Sequence, residues 1–489
     1  MRDYVLLHVN GRRYEIRREM AFLSLTDFLR QELRQTGTKV VCAEGDCGAC
    51  TVLVGRPDGD ELRYDTVDAC IQFLYQLDCT HVISVEGLQD DGKLHPVQQA
   101  LIDHHGSQCG YCTPGFVMAL AGLCERGEKI DADNLRIGLT GNLCRCTGYI
   151  PILEAAESID LGLVPNLAQR YETREILEKI NENVQVPVLL QCRSIGPSGW
   201  AVERTFFSPR RLKDAVEFKA SHPEAVVVSG GTELGVQRNK QGYDPVSLLS
   251  LVWVSGLDEV TCSDESVVIG ANATWTQLEQ VAKELFPEFY QIIVRFGSPQ
   301  IRNVATLVGN VAHGSPIADA LPFLSVMDAE LELLSPRGSR RVSINEFYKG
   351  YKQNDLAADE LIVQVIVPRP CRGELLKLYK ISRRNDLDIA TFGAGIRIHT
   401  EDDVIVQAAI SYSGVAPTVV RLPQVEALLR GRPFSADTFQ EAGRRARSEI
   451  RPISDVRGSA DFRLLLAENI LLKFYHDVTN ALSGKVDRA

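Results

Sequence analysis

Residues 42–50 have the sequence CAEGDCGAC and carry three cysteines, Cys42, Cys47 and Cys50, within nine positions. Four residues separate the first pair and two residues separate the second. Three thiols on one short loop cannot form a hydrophobic core, but this spacing is typical of plant-type [2Fe-2S] sites, whose fourth thiolate comes from further along the chain. Cys70, in DTVDACI, is the candidate for that fourth ligand.

A second set of four cysteines follows the first. A C-x2-C pair in SQCGYCTPGF is followed, after 31 residues, by a C-x-C pair in GNLCRCTGY; the four are Cys109, Cys112, Cys144 and Cys146. Each pair lies where a turn meets the start of a predicted helix, and helix N-termini stabilise thiolates. Zinc is the alternative ligand: the first set's spacing fits a zinc knuckle poorly, whereas the second set's spacing alone allows one. Two adjacent sets of four favour two iron–sulfur clusters, and therefore an electron relay.

Composition excludes several classes of function. The chain has 489 residues and a formal charge of −11, with no basic tract that could follow a phosphate backbone, so we expect no nucleic-acid partner. No apolar run has the length of a membrane helix, and the N-terminus lacks the uninterrupted apolar stretch of a signal peptide, so we expect a cytoplasmic protein. In that compartment the cysteines outside the two sets are expected to be small buried hydrophobes: Cys79, Cys124, Cys192, Cys262 and Cys371.

The order of predicted elements indicates several domains. Residues 4–17 alternate around Asn10-Gly11, which predicts a type I′ hairpin, and SLTDFLRQEL then predicts a helix capped by Ser24. With the strand at 51–54, this is a β-grasp order. From about residue 95 the pattern is helical, and residues 161–199, which include a Gly-Pro-Ser-Gly run, are predicted to be an interdomain linker. An α/β pattern follows, and an antiparallel sheet begins near residue 374.

Two glycine-bearing turns follow apolar runs in the α/β region. They are SGGTELG at 229–235 and VGNVAHGSPIAD at 308–319. Such turns let backbone amides approach a pyrophosphate, although neither is a Rossmann fingerprint and ordinary tight turns are the alternative. Because a flavin can accept electrons one or two at a time, it is the natural partner of a one-electron relay.

Together, CAEGDCGACTV, GSQCGYCTPGF, GNLCRCTGY, GGTELG and GNVAHGSPIAD resemble the xanthine dehydrogenase family of molybdenum hydroxylases, and within it the bacterial small subunit. The resemblance covers nearly the whole chain and is weakest at 160–200. It implies a multidomain α+β protein with four domains: a β-grasp, plant-type 2Fe-2S ferredoxin domain (1–88), a helical-bundle 2Fe-2S domain (89–160), an α/β FAD-binding domain of the molybdenum hydroxylase (PCMH-like) type (200–372) and a C-terminal α+β flavoprotein domain (373–489).

The resemblance also implies roles for individual residues. One cluster would be held by Cys42, Cys47, Cys50 and Cys70; the other, nearer molybdenum, by Cys109, Cys112, Cys144 and Cys146, with Gln108 beside the molybdopterin of a partner. The FAD-binding positions would be Val227, Val228, Ser229, Gly230, Gly231, Thr232, Glu233, Leu234, Phe296, Thr306, Asn310, Asp319, Ile362 and Lys380, and Tyr351 would lie on the nicotinamide side. The alternatives are core packing for Phe296 and Ile362, a surface cation for Lys380 and a helix cap for Asp319.

The function implied by the resemblance is electron transfer, with no catalytic residue in this chain. Electrons from a molybdopterin-binding large subunit would pass through the clusters to FAD and then to NAD, in the oxidation of hypoxanthine and xanthine to urate (purine catabolism). Two small and two large subunits, or a higher assembly, would form the enzyme. The loop SRRNDLDIA at 382–390 leaves the acceptor, NAD or oxygen, open. Equivalent subunits of aldehyde oxidase, carbon monoxide dehydrogenase or aromatic acyl-CoA reductase remain alternatives, as does a zinc-stabilised binding module.

Overall fold

A computed structural model of the chain describes residues 1–127, 129–195 and 201–482. These residues form two compact units. The first comprises Met1–Ser255 together with Gly297–Ala305, and the second comprises Gly256–Phe296 and Thr306–Ala489. Each unit has its own sheets and its own hydrophobic core.

The first unit begins with a mixed sheet. Its elements are β1 (Val5–Val9), β2 (Arg12–Ile16), α1 (Leu25–Asp27, continued by a π-helical turn over Phe28–Glu32), β3 (Thr51–Asp58), β4 (Glu61–Asp68) and β5 (Thr80–Ile83). The hairpin turns at Asn10 and Gly11, whose φ angles of 49° and 80° suit a type I′ turn. Ser24 caps α1 by accepting a hydrogen bond from the amide of Asp27 at 3.1 Å. The strand order β2-β1-β5-β3-β4 confirms the predicted β-grasp domain.

A helical region follows the sheet. Its elements are α2 (Pro96–Asp103), α3 (Thr113–Glu125), α4 (Ala132–Gly138) and α5 (Ile150–Glu157). Every residue of α3 from Gly115 to Cys124 is buried, because the helix packs against α2 and α4 and against strands β3 and β4. This arrangement confirms the predicted helical domain and places the helix that follows Cys112 against the first sheet.

The segment predicted as a linker, 161–199, has regular structure over most of its described length. It contains α6 (Leu167–Arg170), α7 (Thr173–Val184) and β6 (Val188–Ile195). The apolar face of α7 buries Ile176, Leu177 and Ile180 in the core of the helical region, and β6 pairs antiparallel with the next strand, β7 (Ala201–Ser208). A linker is therefore the wrong description of these residues, because their apolar side chains join a core and a sheet. The Gly-Pro-Ser-Gly run at 196–199 lies outside the described residues.

The remainder of the first unit is an α/β layer. After β7 come α8 (Leu212–Ser221), β8 (Val226–Val228), α9 (Thr232–Gln241) and β9 (Ser247–Ser250). The strand order is β6-β7-β9-β8, with β7 and β8 both parallel to β9. The glycine turn at 229–231 therefore connects the end of a parallel strand to the start of a helix.

A buried ion cluster joins the first sheet to this layer within the first unit. Arg2 binds both carboxylate oxygens of Asp78 at 2.8 and 2.7 Å, and Arg210 binds Asp78 Oδ2 at 2.8 Å. The amide of Leu6 also donates to Asp78 Oδ1 at 3.0 Å. The Asp78 carboxylate thus connects the N-terminal strand to the segment after β7. The guanidinium groups of Arg2 and Arg210 donate the hydrogen bonds that solvent would otherwise supply to it.

The second unit contains an antiparallel sheet with helices. Its elements up to residue 368 are β10 (Val260–Cys262), β11 (Ser266–Gly270), α10 (Trp275–Leu285), α11 (Pro287–Ile293), then, after α12 (Pro299–Arg302) of the first unit, α13 (Leu307–His313), α14 (Leu321–Val326), β12 (Glu330–Ser335), β13 (Gly338–Ser343), α15 (Ile344–Phe347), β14 (Tyr348–Gly350), β15 (Gln353–Asn354) and β16 (Leu361–Pro368). The main sheet has the order β10-β11-β16-β12-β13, and β14 pairs with β15. Cys262, on the edge strand β10, and Cys371, after β16, are exposed, so the prediction that they are buried is wrong.

The second unit ends in a meander and helices. They are β17 (Glu374–Ile381), β18 (Phe392–Glu401), β19 (Val404–Ser413), β20 (Val420–Arg421), α16 (Pro423–Leu429), α17 (Ala436–Glu449) and α18 (Ala460–Leu482). The strands pair antiparallel in chain order, and the helices share a core with β18 and β19, as the sequence predicts. In the described part of the chain, no helix combines the length and the apolar character that crossing a membrane requires.

Two buried histidines make the first sheet sensitive to acid. His8 and His81 are paired in register on β1 and β5, and His81 Nε2 accepts a hydrogen bond from the amide of Gly11 at 3.0 Å. Burial lowers the pKa of His81 to about 3 and that of His8 to about 4. Both groups are therefore neutral in the folded chain and gain protons on unfolding below their ordinary pKa of about 6.5.

We predict that stability is full above pH 6.5 and falls as the pH drops toward 4, because the unfolded chain then binds protons that the folded chain excludes. The loss is on the order of 1.4 kcal/mol for each unit between the folded and unfolded pKa values. His8→Leu removes one such group, so its thermal midpoint should fall less steeply over this range than that of the unmodified protein. Parallel pH profiles for the two proteins would contradict the prediction.

Candidate functional site

The first cysteine set forms one group of thiols in the first unit. Cys42, Cys47 and Cys50 lie on the loop before β3, and Cys70 lies on the 3₁₀ turn that follows β4. The Cys42 thiol is within hydrogen-bonding reach of the thiols of Cys47 and Cys70, and the Cys50 thiol is within reach of that of Cys70. The structure therefore brings together all four predicted ligands, including the one contributed by a separate element.

The loop backbone directs amides at these sulfurs. The amide of Asp46 donates to Cys42 Sγ at 3.4 Å, and left-handed φ angles at Ala43, Gly45 and Gly48 turn the chain back on itself. The pKa of the Cys42 thiol is lowered, first by the neighbouring thiols and then by backbone amides. Converging thiols and inward amides suit a [2Fe-2S] cluster, because the amides stabilise its negative charge.

The second set is brought together by two loops of the helical region. The thiol of Cys109 lies within hydrogen-bonding reach of that of Cys146, and the thiol of Cys112 lies within reach of that of Cys144. Among the described residues of both sets and elsewhere, no group of three or more Cys, His, Asp or Glu side chains is placed so that it could hold a single metal ion. A [2Fe-2S] cluster divides its four thiolates between two irons, two to each.

The loops of the two sets are in backbone contact. The amide of Leu143 donates to the carbonyl of Cys47 at 3.0 Å, so one hydrogen bond connects a ligand of the first set to the residue before Cys144. A Cβ on Gly48 would collide with the carbonyl of Gly141, and one on Gly115 would collide with the carbonyl of Gly48. Glycine is required at these positions for the two sets to lie side by side.

The two sets differ in exposure. Cys50 and Cys70 are buried, whereas Cys109 and Cys146 are exposed, as is Gln108. Large apolar side chains are also exposed on this region, among them Tyr111, Tyr149 and Ile150. The second set therefore has two exposed cysteines, whereas the first set has none: Cys42, Cys47 and Cys112 are partly buried, and Cys144 is buried.

The predicted pyrophosphate turn joins β8 to α9. Its positions are Val227, Val228, Ser229, Gly230, Gly231, Thr232, Glu233 and Leu234. Gly231, with φ of 66°, is the N-cap of α9, and no side chain caps this helix. A Cβ on Gly230 would collide with the carbonyl of Val304, and Gln76 donates to the carbonyl of Gly230 at 3.2 Å. A ten-residue helix that begins at a glycine turn without a side-chain cap suits an anionic group such as the diphosphate of FAD.

The other predicted flavin residues lie in the second unit. Phe296 is partly buried and stacks on Trp275 with the ring centroids 4.2 Å apart, while Ile362 is buried on β16. The Thr306 hydroxyl caps α13 by accepting from the amide of Gly309 at 3.0 Å. Asn310 Oδ1 is buried without a hydrogen-bond partner. Since a buried acceptor requires a donor, Asn310 suits a ligand hydroxyl or amide.

Asp319 and Lys380 form a buried ion pair that the sequence did not predict. Lys380 Nζ lies 2.7 Å from Asp319 Oδ2 and 2.9 Å from the carbonyl of Arg295. The Lys380 side chain is 3% exposed, so it is not the surface cation of the alternative interpretation. Nor does Asp319 cap α14, whose N-cap is Ala320 with no side-chain hydrogen bond. Burial raises the pKa of Asp319, and Lys380 opposes the shift.

The predicted acceptor region is at the surface of the second unit. Tyr351 lies between β14 and β15 and is 60% exposed. The loop at 382–390 joins β17 to β18, and Arg384 pairs there with Asp388. Tyr351 and most side chains of the loop are accessible to a soluble acceptor. The predicted contact with NAD requires this accessibility.

Several amide side chains next to the sites carry no sequence motif. Asn239, on α9, donates to the carbonyls of Cys70 and Ala43 at 2.8 and 3.0 Å, and Gln300 reaches Asn142 at 2.9 Å. These partners are between 158 and 196 residues apart in the chain. No pattern in the sequence connects such positions, so only the structure identifies them.

Cys146→Ala should remove one cluster and leave the first cluster and FAD in place, because the two sets lie on separate segments. Iron per chain should fall by about half. Cys371→Ala, at an exposed cysteine outside both sets, is the matched control and should keep all of the iron. Loss of all iron from Cys146→Ala while the protein stays folded would contradict the assignment of two independent sites.

Asp319→Ala should lower both the thermal midpoint and the flavin content. It leaves the buried ammonium of Lys380 without its carboxylate, at a cost of about 3–5 kcal/mol. The double variant Asp319→Leu/Lys380→Met replaces the pair with apolar groups and should regain most of the midpoint. Flavin should stay low in the double variant if Asp319 contacts it. Full flavin occupancy there would assign the pair a purely structural role.

Comparisons with known protein families divide the chain into three matched segments. Residues 84–157 match the [2Fe-2S] binding domain family. Residues 201–370 match the family described as the FAD binding domain in molybdopterin dehydrogenase, and residues 377–478 match the CO dehydrogenase flavoprotein C-terminal domain. The matches agree with the converging thiols of the second set and with the glycine turn before α9.

Curated proteins and solved structures give the same result. The chain is 30% identical to xanthine dehydrogenase 1 of Arabidopsis thaliana and 31% identical to aldehyde oxidase 2 of Macaca fascicularis, over 98% and 99% of its own length. It spans 40% of the length of each. A solved carbon monoxide dehydrogenase chain from Hydrogenophaga pseudoflava is 25% identical, with a TM-score of 0.53 over 55% of this chain and 94% of that one. Three segments of the chain thus match the [2Fe-2S]-binding, FAD-binding and flavoprotein C-terminal domain families, and the chain is homologous to xanthine dehydrogenases, aldehyde oxidases and CO dehydrogenases.

Proposed function

We propose that the chain is the electron-transfer subunit of a molybdenum hydroxylase of the xanthine dehydrogenase type. The observation that carries the proposal is the backbone contact between two groups of four converging thiols, at Leu143 and Cys47, within one unit. Two [2Fe-2S] clusters held this close could exchange single electrons. Two structural zinc sites would not need the Leu143–Cys47 contact, because each would stabilise its own loop separately. The three domain families matched by the chain support the same cofactors.

The direction of the relay follows from exposure. Two cysteines of the second set, Cys109 and Cys146, are exposed, as are Gln108 and Tyr111 near Cys109 in the chain, so this set would receive electrons from a partner chain that carries molybdopterin. The first set has no exposed cysteine and lies against α9, because Asn239 donates to the carbonyl of Cys70 and a Cβ on Gly235 would lie 2.7 Å from the carbonyl of Ile71. With both clusters and FAD bound, electrons would pass from the second set to the first, and then toward the glycine turn at the start of α9.

The chain's own residues bind and orient the flavin. Within the first unit, the amides at the start of α9 would bind a diphosphate. Within the second unit, Asn310 and Asp319 would bind hydroxyls, Phe296 would stack on a ring system, and Thr306, Ile362 and Lys380 would supply further contacts. When bound, FAD collects two single electrons and passes them on as a pair. Tyr351 and the loop at 382–390 receive NAD, the acceptor that we propose.

Purines are the proposed substrate class of the complete enzyme, with hypoxanthine and xanthine oxidised to urate on a molybdopterin-binding large subunit. Two small and two large subunits in the cytoplasm are the proposed assembly. Fusion of the cluster and FAD domains in one chain supports the xanthine dehydrogenase type. The similar identity to an aldehyde oxidase, and the match to a CO dehydrogenase flavoprotein domain, support the alternative of an equivalent subunit in such an enzyme. Identification of the co-purifying large subunit distinguishes the two.

Metal analysis tests the proposal against a zinc-stabilised binding module. We predict a brown protein with about four irons, an equal amount of acid-labile sulfide and one FAD per chain, since each cluster contains two irons and two sulfides. A colourless protein with stoichiometric zinc and no sulfide would reject the relay. Purification without oxygen is the control, because it excludes the loss of clusters by oxidation.

We also predict that the FAD-loaded chain, without molybdenum, passes electrons from NADH to an artificial dye. This reaction uses only the flavin and the acceptor region of the second unit. Tyr351→Ala should raise the KM for NADH, whereas reduction of the flavin by dithionite, which needs no acceptor contact, serves as the control and should be unchanged. Absence of NADH-dependent dye reduction at full FAD occupancy would exclude NAD and favour oxygen or a quinone.

A further inference from the structure

A buried network of amide and hydroxyl groups lies beside the contact between the two cysteine loops. Gln300 Nε2 donates to Asn142 Oδ1 at 2.9 Å and to Thr51 Oγ1 at 3.2 Å. Asn142 Nδ2 donates to the carbonyl of Gly48 at 3.0 Å, and Thr51 Oγ1 donates to the same carbonyl at 2.6 Å. Gly48 follows Cys47 of the first set, and Asn142 lies two residues before Cys144 of the second. The network thus joins both loops through Gln300.

Gln300 reaches this position from a distant part of the chain. It lies on α12, within the segment Gly297–Ala305 that belongs to the first unit, and it is 1% exposed. A Cβ on Gly141 would collide with Gln300 Oε1, although the φ of Gly141 is not left-handed, so close approach to Gln300 is the reason that glycine fits there. Neither the binding of a cluster by the cysteines nor the binding of flavin requires the contacts that Gln300 makes with Thr51 and Asn142.

We propose that Gln300 is a positioning residue that holds the loop of the first cysteine set against the loop of the second and so fixes the separation of the two clusters. The proposal deepens the proposed function and rests on it. The step that the contact serves is the transfer of one electron from the second cluster to the first, with no bond formed or broken and no proton moved. Because electron tunnelling weakens exponentially with distance, a small loosening of the loops slows the step.

The chemistry of the network explains why an amide occupies this position. Gln300 offers two hydrogens to two acceptors: Thr51, the first residue of β3 and the one that follows Cys50, and Asn142, on the loop that precedes Cys144. A hydroxyl has only one hydrogen to donate, so it cannot donate to both acceptors, and a carboxylate cannot donate at all. The Nε2 group therefore links the two loops, whereas Oε1 has no hydrogen-bond partner among the described residues.

The test uses the full chain loaded with iron, sulfide and FAD. Gln300→Met keeps the length and approximate volume of the side chain but removes both donors. In the fully reduced protein the two paramagnetic clusters split or broaden each other's EPR signals, an effect that falls with the cube of their separation. We expect Gln300→Met to retain iron and flavin and to show a smaller splitting, with slower reoxidation of the second cluster through the first.

Asn303→Ala is the matched control. Asn303 lies on the same segment but donates to the carbonyl of Thr66 at 2.9 Å, on β4, so its loss should leave the splitting unchanged. Gly141→Ala is the second variant: its Cβ would collide with Gln300 Oε1, displace this side chain and reduce the splitting in the same way.

Each outcome decides the proposal. An unchanged splitting in Gln300→Met with full iron overturns it. An equal change in Asn303→Ala also overturns it, because Gln300 would then only help to anchor the segment Gly297–Ala305. Loss of a cluster from both Gln300→Met and Gly141→Ala also overturns it, because the contact would then serve cluster binding and not spacing. Absence of any splitting in an unmodified chain with four irons overturns the proposal alone. An unmodified chain without iron refutes the proposed function itself.

Discussion

The close approach of the two cysteine loops at Gly48 is the contact on which the rest of the relay depends. A side chain at this position would collide with Gly141 and Asn142, and its φ of 64° is unfavourable for other residues. Gly115 of α3 packs against the carbonyl of Gly48 itself. The two groups of thiols can therefore lie side by side only because glycines at 48 and 115 allow backbone to meet backbone. Electron transfer between two one-electron centres requires this proximity, whereas metal sites that only stabilise a fold do not.

The first sheet is connected to the flavin turn by polar contacts of the same unit. Asp78 holds Arg2 and Arg210 in a buried cluster, and Gln76 and Asn239 bind the turn and the helix that follows it to the segments around Cys70. Buried charges persist only when they are paired, so the cluster around Asp78 fixes which parts of the chain meet. The position of the glycine turn at 229–231 relative to the first cysteine set is thus determined by hydrogen bonds as well as by apolar packing.

Local patterns predicted much of this structure, and long-range contacts explain what they missed. The Asn10-Gly11 hairpin and the Ser24 cap depend on neighbouring residues, and the cysteine spacing is a property of one short loop, so each is visible in the sequence. The linker prediction failed because the partner of β6 follows a glycine- and proline-containing run that suggested a boundary. The Asp319–Lys380 pair and the contacts of Gln300 join residues 61 to 249 positions apart, and no local pattern reports them.

An anaerobic reductive titration tests the central claim most directly. The oxidised, fully loaded chain is titrated with dithionite while its visible absorbance and EPR spectra are recorded. Two clusters that accept one electron each and a flavin that accepts two predict about four electrons per chain, with two distinct cluster signals at the end point. Uptake of about two electrons without a cluster signal would show that the cysteine sets hold no iron–sulfur clusters, and it would contradict the relay.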